Sequence, residues 1–353
     1  MTLRRTVQVI SGAGALLLGL ASLALPSPYL LEAPGPIFDT TGEIDGEPVT
    51  TVSGGETYDT DGTLALTTIY VNGAPTHTVR VPQAVRGWVS GNIDMTPHEL
   101  VYPTGTTADE VRQRNTAAMA SSQELSLAAA LNHLDVDFEV DLFVVDFTPG
   151  ALEVGTDELL AEGDRVLQAA GDEVTGLEGL RAAVNEAAGE PIELTVSRGG
   201  DQLDVQVPTY QEADGEYYVG ILLGNEFEFP VSAEIQLEDV GGPSAGLMFA
   251  LGLIDTMTED SMTGNQHWAG TGTVDPDGTV GPIGGAPLKL VGAEDQGAEH
   301  FLAPRDNCDE LEGRIPRGLD VYGVETVDEA VAVVEAVRDG DEAFVAGLEP
   351  CGS

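Results

Sequence analysis

The sequence predicts a mixed α/β and α+β protein built from several units, and three observations support this prediction. Strand and helix patterns alternate from residue 217 to about residue 347, which is typical of an α/β sheet covered by helices. Residues 138–209 combine short alternating strands with one helix, the pattern of a compact α+β unit. An apolar run at residues 7–25 precedes both. For a chain of 353 residues we expect four segments, at residues 1–25, 26–137, 138–210 and 211–353.

The composition is strongly acidic, because 60 Asp and Glu residues against 14 Lys and Arg residues give a formal net charge of -46. The acids are spread through the periodic segments, so the pattern indicates a folded protein with an acidic surface. Such a surface repels nucleic acid and anionic lipid headgroups, and we therefore exclude nucleic acid as a partner. It is also typical of adaptation to high salt, where screening weakens the repulsion between like charges.

The N-terminal segment predicts export from the cytoplasm. Residues 7–25 are just long enough to cross a bilayer, which takes about 20 residues. Arg4 and Arg5 precede this run and no positive charge follows it closely, which predicts a cytoplasmic N-terminus. Residues 22–24 (SLA) also fit a signal-peptide cleavage site, so a transmembrane anchor and a signal segment both remain open. We expect a single-pass protein of the cell membrane with its main part outside the cytoplasm, or a secreted protein.

Residues 26–137 predict a linker followed by an α+β region. Four prolines lie between residues 26 and 46, which favours an extended linker. Residues 48–72 alternate in the manner of strands, and residues 107–134 have the composition of a helix, with Asp109 and Glu110 in its first turn. In the next unit, Arg198 to Asp201 (RGGD) predicts the turn of a hairpin.

A glycine-rich turn before an apolar helix marks the first candidate site. The sequence GGPSAG at residues 241–246 places Ser244 where backbone N–H groups and the positive end of the helix dipole meet. Such donors suit the oxyanion of acyl transfer. The alternative is that Ser244 only caps the helix. The residues expected to form an oxyanion-binding turn are Gly241, Gly242, Ser244 and Ala245.

Lys289 is the only lysine of the chain and follows PIGGAPL at residues 282–288. Unlike arginine, a buried lysine can lose its proton near neutral pH and act as a base. A serine and a neutral lysine brought together form a nucleophile and its base. The alternative is that Lys289 is an ordinary surface residue.

Together these segments resemble the proteolytic domain of Lon proteases, because GPSAG at 242–246, Thr-Gly at 271–272 and PIGGAPLK at 282–289 occur in order. The resemblance implies that Ser244 is the catalytic serine, that Lys289 is its base and that Thr271 orients the lysine. It also implies a homohexamer. The only lysine is thereby assigned, so the chain has no P-loop lysine and we expect activity without ATP.

The wider arrangement resembles the secreted or membrane-anchored, PDZ-containing Lon-like serine proteases of Gram-positive bacteria. The likeness rests on the PGP sequence at 34–36, on PG at 149–150 with GDRV at 163–166, and on APRDNC at 303–308. It implies a PDZ-like domain over residues 138–210 that captures polypeptides by strand addition, and a Lon-type proteolytic domain over residues 211–353. For residues 138–210, a structural module without a ligand is the alternative.

The cysteines and histidines offer competing interpretations. Cys308 and Cys351 form an even pair, which outside the cytoplasm predicts a disulfide, with two buried thiols as the alternative. The histidines lack metal-ligand spacing, so we expect neither a metal nor a cofactor. His267 and His300 leave a Ser–His pair open as an alternative mechanism.

Three functions follow from these patterns. The first is an extracytoplasmic serine endopeptidase that uses a Ser–Lys dyad on unfolded or membrane-associated proteins. The second is a non-catalytic scaffold that binds partners through the PDZ-like unit. The third is a hydrolase with the same dyad that acts on a non-peptide ester or amide.

Overall fold

The computed structural model describes residues 3–103, 105–174, 176–237, 240–348 and 351–352. Within them the α-helices are, in chain order, α1 (Leu3–Ser22), α2 (Val81–Val89), α3 (His98–Val101), α4 (Ala108–His133), α5 (Pro149–Val154), α6 (Leu177–Glu186), α7 (Gly246–Met257), α8 (Ala286–Asp295), α9 (Val327–Asp339) and α10 (Glu342–Gly347). Two 3-10 helices cover Thr156–Glu158 and Arg305–Leu311.

The strands of the same residues are shorter and more numerous. They are β1 (Tyr29–Asp39), β2 (Glu43–Ile44), β3 (Glu47–Pro48), β4 (Thr50–Ser53), β5 (Thr63–Asn72), β6 (Asp94–Pro97), β7 (Glu139–Phe147), β8 (Arg165–Ala169), β9 (Asp172–Glu173), β10 (Ile192–Arg198), β11 (Asp201–Val207), β12 (Tyr210–Gln211), β13 (Tyr217–Tyr218), β14 (Ile221–Glu228), β15 (Ser232–Ile235), β16 (His267–Gly270), β17 (Thr273–Val274), β18 (Val280–Gly281), β19 (His300–Pro304) and β20 (Asp320–Val324).

The chain forms two compact units, one containing the described residues up to Val136 and from Val231 onward, the other Asp137–Pro230. The first unit is built on a six-stranded sheet with the order β20-β19-β16-β5-β1-β6. Strands β5, β16, β19 and β20 are parallel, and β1 and β6 are antiparallel to their neighbours. The mixed α/β prediction is therefore confirmed for this unit.

The division into units differs from the predicted segments. The region predicted as a linker at residues 26–46 contains β1, which pairs with β5 and β6 in the sheet that also holds β16 and β19. Leu30 is 1% exposed, so this strand is part of the core. Residues 26–136 thus complete the fold of the C-terminal segment and do not form a region of their own. The local sequence could not indicate this, because β5, the partner of β1, joins the C-terminal segment by pairing with β16, about 200 positions away. The prolines of β1 also sit beside a register shift between Pro34 and Ile37.

The helices of the first unit pack as the sequence predicts. Helix α4 begins with a capping box between Thr107 and Glu110, which fixes the N-terminus expected there. Helix α7 is almost entirely buried, with Phe249 at 0% exposure. It packs against α4 and lies directly after the glycine-rich turn that carries Ser244.

The second unit is an antiparallel sheet with one longer helix. Its strand order is β11-β10-β8-β7-β14, with β9 paired to β8. The predicted hairpin is confirmed, because Arg198 pairs with Asp201 at the turn between β10 and β11. The unit ends at Pro230, beyond the predicted boundary at residue 210, because β14 pairs with β7 along its whole length.

The N-terminal apolar run lies in α1 and in the residues that follow it. Across the described residues, the length and hydropathy needed for a membrane span are not found together in any helix.

Candidate active site

Ser244 and Lys289 meet in the first unit although 45 positions separate them in the sequence. The Nζ of Lys289 donates to the Oγ of Ser244 at 2.8 Å. Ser244 lies two residues before α7, and Lys289 lies in the first turn of α8, whose start is set by Gly285 at φ 74°. The structure therefore joins the two residues that the sequence singled out separately.

Thr271 bonds both to the turn that carries Ser244 and to Lys289 of α8. Its Oγ1 accepts a hydrogen bond from Lys289 Nζ at 2.7 Å and donates to the carbonyl oxygen of Ser244 at 2.9 Å. The same carbonyl accepts the N–H of Gly272 at 3.0 Å. Thr271 is 0% exposed, so its hydroxyl is held by these bonds and by packing. Ser244, Thr271 and Lys289 thus form one connected hydrogen-bond network.

The lysine is buried, and this changes its acidity. Lys289 is 2% exposed, and desolvation lowers its pKa from 10.5 to about 7. The described residues place no carboxylate in an ion pair with it. Near neutral pH a large fraction of this amine is therefore uncharged and able to accept a proton.

The turn expected to bind an oxyanion is arranged differently from the prediction at one position. The amide of Gly242 donates to the carbonyl oxygen of Asn115 at 3.1 Å, so this donor is already committed to α4. Gly242 adopts φ 98°, a left-handed conformation that glycine tolerates. The amides of Ser244 and Ala245 donate to no acceptor in the described part of the chain. Of the residues predicted for this role, Gly241, Ser244 and Ala245 have amides with no acceptor among the described residues.

Two serines of α4 hold this turn from behind, and sequence reasoning missed both. Ser122 Oγ donates to the Pro243 carbonyl at 3.1 Å. Ser126 Oγ shares its single proton between the Gly246 carbonyl at 2.9 Å and the Ser122 carbonyl of its own helix at 2.5 Å. Both side chains are buried, at 3% and 0% exposure. Their spacing of four residues on one face of a helix otherwise rich in alanine is the sequence signal that could have identified them.

Asn307 holds the loop that leads into α8. Its Oδ1 accepts the N–H of Ile283 at 2.9 Å, and its Nδ2 donates to the carbonyl of the same residue at 2.9 Å. The neighbouring Cys308 forms a disulfide with Cys351. Both half-cystines lie in the hydrophobic cluster that includes Leu290 of α8. The pair of cysteines is therefore joined, as the sequence favoured, and braces the segment that supports the lysine helix.

The histidines considered as an alternative base lie elsewhere in the same unit. His267 Nδ1 is 3.3 Å from Thr63 Oγ1. The ring of His300 lies 4.6 Å from that of Trp268 and its Nδ1 is 3.8 Å from Asp320. Neither contacts Ser244 within the hydrogen bonds of the described residues, so the geometry supports lysine as the base.

The second unit contains a separate groove of about 380 Å³. One wall is α6, with Leu177, Leu180 and Val184, and the other is the start of β14 at Ile221. Strand β14 lies at the end of its sheet and pairs with β7 on one side. Among the described residues, no strand pairs with its other edge.

Comparison with known proteins defines the class of the first site. Residues 239–336 match the family of Lon protease (S16) C-terminal proteolytic domains. This stretch contains Ser244, Thr271 and Lys289, so the similarity covers the whole hydrogen-bond network described above.

The individual relatives are all Lon proteases. Lon protease 1 of Sorangium cellulosum is 37% identical over 94 residues, which is 26% of this chain and 11% of the relative. The Lon protease of Azospirillum brasilense is 34% identical over 93 residues, again 26% of this chain and 11% of the relative. The chain therefore spans only a small part of the length of these relatives.

The structural comparison includes a crystal structure of the PDZ domain of an SdrC-like protein from Listeria monocytogenes. It shares 14% sequence identity, has a TM-score of 0.21 and covers 23% of this chain and 85% of that one.

Proposed function

We propose that this protein is an ATP-independent serine endopeptidase that works outside the cytoplasm and uses Ser244 as nucleophile and Lys289 as general base. The single observation that carries the proposal is the 2.8 Å contact between the serine hydroxyl and a buried amine. A pKa of about 7 makes this amine a usable base at physiological pH. The similarity of residues 239–336 to Lon proteolytic domains supports the same chemistry.

Acylation follows from the hydrogen bonds around the lysine. The Thr271 hydroxyl donates a hydrogen bond to the Ser244 carbonyl, so in its contact with Lys289 the amine is the donor and the threonine oxygen is the acceptor. The neutral amine keeps one lone pair, which can accept the Ser244 hydroxyl proton and so reverse the bond that Nζ donates to Oγ in the structure. The oxygen attacks the peptide carbonyl carbon while its proton moves to Nζ, and the oxyanion is held by the Ser244 and Ala245 amides.

Collapse of the tetrahedral intermediate completes acylation, and deacylation by water follows. The ammonium of Lys289 donates its proton to the leaving amine as the peptide C–N bond breaks, which leaves an ester on Ser244 and a neutral lysine. The amine then takes a proton from water, whose oxygen attacks the ester. Returning that proton to Ser244 Oγ releases the acid product and restores the starting state.

Location outside the cytoplasm is proposed on two features. Disulfides persist in oxidising compartments, and Cys308 and Cys351 form one. In addition, Arg4 and Arg5 precede the apolar run at residues 7–25, a pattern typical of a membrane anchor or a signal segment. Fractionation with thiol labelling before and after reduction tests this. Free cysteine thiols in a cytoplasmic fraction would contradict it.

The groove of the second unit is proposed to act as a PDZ-like site that captures extended polypeptides. The free edge of β14 can pair with an added strand, while the apolar wall of α6 takes its side chains. We expect Leu177→Asp to weaken peptide binding, since Leu177 lines the groove at 40% exposure. Leu152→Asp is the matched control, because Leu152 is 58% exposed and does not line the groove. Equal binding by both variants would exclude the groove.

The proteolytic proposal is tested with an unfolded protein such as casein, with and without ATP. We expect cleavage by the wild type in both conditions and its loss in Ser244→Ala and Lys289→Gln. Ser232→Ala, a change at an exposed serine of the same unit, serves as the control and should retain activity. Wild-type inactivity on casein together with ester hydrolysis would favour a non-peptide hydrolase, and complete inactivity would favour a scaffold.

A homohexamer, proposed from the resemblance alone, is tested by light scattering of the purified protein.

A further inference from the structure

Helix α2 presents an apolar face to solvent. Val85, Trp88 and Val89 are 52%, 80% and 77% exposed, and their i, i+3, i+4 spacing puts them on one side. The opposite side, with Ala84 and Gly87, is buried. Leu100 in α3 adds a further side chain at 78% exposure. A helix of a soluble protein normally turns its polar side outward, so this inverted arrangement indicates a surface with an apolar partner.

The charge pattern around this face differs from that of the rest of the chain. No Asp or Glu occurs between Asp61 and Asp94, and none occurs before Glu32, although the chain contains 60 acids. Arg80 and Arg86 are exposed at or beside the helix and form no ion pair with the described residues. Phosphate headgroups would repel most of this acidic surface, but α2 itself carries no acid, and Glu99 of α3 is the acid next to Leu100 in the sequence.

The two acid-free segments are joined by backbone hydrogen bonds. The N–H of Val81, the first residue of α2, donates to the carbonyl of Leu25 at 3.2 Å, and Ser27 N–H donates to the Val79 carbonyl at 2.7 Å. His98 N–H, at the start of α3, donates to the Pro28 carbonyl at 2.9 Å. The first residues of α2 and α3 therefore lie beside residues 25–28, at the end of the N-terminal apolar run and just after it.

We propose that Val85, Trp88, Val89 and Leu100 form a lipid-contacting surface that lies in the headgroup region of a membrane. Tryptophan is enriched at this depth because its ring is amphipathic, and arginines beside it can reach the phosphates. The surface would hold the first unit, which carries Ser244, against the bilayer. Lipid contact does not depend on the proposed proteolytic function.

The full-length chain reconstituted in phosphatidylcholine vesicles with brominated acyl chains tests the proposal. The chain has two tryptophans, and Trp268 is 0% exposed, so Trp88 is the one that lipid can quench. We expect a blue shift on vesicle binding and loss of up to roughly half of the emission, strongest for bromines nearest the headgroups. Trp88→Phe should remove the quenchable part and leave the Trp268 emission unchanged.

A second position gives an independent readout. Since both natural cysteines are in the disulfide, Leu100→Cys provides a single thiol for an environment-sensitive dye. The emission of the dye at Leu100→Cys should shift on vesicle binding, while the same dye at Phe344→Cys, an exposed site at 41% in α10, should not shift.

The proposal would be overturned if aqueous iodide quenches the fluorescence of Trp88 in the presence of vesicles and brominated lipid does not. Shielding of Trp88 without vesicles, increasing with protein concentration, would assign the face to a second copy instead. Casein cleavage by Trp88→Phe, measured alongside, keeps the outcome separate from that of the proteolytic proposal.

Discussion

The hydroxyl of Thr271 lies 2.7 Å from the amine of Lys289 and accepts a hydrogen bond from it. Because the threonine hydroxyl donates to the carbonyl of Ser244, the lysine is the donor in this contact. In the proposed mechanism the neutral amine then accepts the Ser244 proton, which reverses the bond that Nζ donates to Ser244 Oγ in the structure. The proposed orientation of the base thus depends on the backbone of the turn that carries Ser244. We propose Thr271 as a positioning residue.

Activity should depend on the neutral form of Lys289. Since burial lowers its pKa to about 7, kcat/KM should rise as the pH increases through about 7 and level off above pH 8 to 9. The measurement is a pH profile of peptide cleavage over the range in which the protein stays folded. A rate that falls between pH 7 and 9 in a folded sample would contradict a lysine base.

Thr271→Val should reduce kcat by about 10- to 100-fold while leaving the fold intact, because valine has the same shape without the hydroxyl. The ammonium form loses an acceptor, so the apparent pKa of the profile should also move down. Thr271→Ser, which keeps the hydroxyl, is expected to restore both values. An unchanged pH profile in the valine variant would show that the threonine serves packing only.

Burial of Lys289 should make the wild-type fold less stable at low pH. The lowered folded-state pKa means that the unfolded chain binds more protons between pH 7 and 10.5, so the free energy of unfolding rises with pH in this window. Lys289→Met should therefore be more stable than the wild type at pH 6, by up to about 5 kcal/mol, and the difference should shrink toward pH 10. Denaturant titrations at several pH values measure this. A difference that does not vary with pH would mean that the lysine is not desolvated.

Ser126→Ala should slow the chemistry without weakening substrate binding. The variant removes a donor to the Gly246 carbonyl at the start of α7, so the serine turn loses a support. We expect kcat to fall several-fold with KM unchanged, and the free energy of unfolding to fall by about 1–2 kcal/mol. Ser121→Ala is the matched control, since Ser121 is an exposed serine of the same helix. Equal kcat in the two variants would remove Ser126 from the positioning of Ser244.

Asp255, in helix α7, should make the stability of the fold pH-dependent. The residue is 1% exposed, burial raises the pKa of its carboxyl to about 6, and its Oδ2 has no hydrogen-bond partner in the described part of the chain. The raised pKa means that its contribution to stability, complete below pH 3.8, is lost as the pH rises through about 6. Asp255→Asn should flatten this dependence and stabilise the fold above pH 6 by up to about 3 kcal/mol.

The comparison for this variant is Asp309→Asn, at an exposed aspartate of the same unit. Unfolding titrations between pH 4 and 7 should show the wild-type slope in this control. If Asp255→Asn also keeps that slope, the carboxyl does not titrate as its burial indicates.

The local sequence predicted much of the second unit because its signals are short-range. The Arg198 to Asp201 turn sets the register of its own hairpin, and α6 shows its amphipathic spacing within a few turns. The groove between α6 and β14 was not predicted, since it depends on a strand that follows the expected end of the unit. A turn can be predicted from residues that are neighbours in the chain, whereas the residues that line a groove cannot.

The sequence by itself determined which residue types could carry the chemistry: one lysine, and one serine on a glycine-rich turn before an apolar helix. The tertiary structure decided that they meet, that Lys289 is buried enough to lose its proton, and that Gly242 is tied to Asn115. It also decided that β1 belongs to the core sheet. The reason is physical: propensity and patterning act over a few residues, while desolvation and strand pairing depend on distant segments brought into contact.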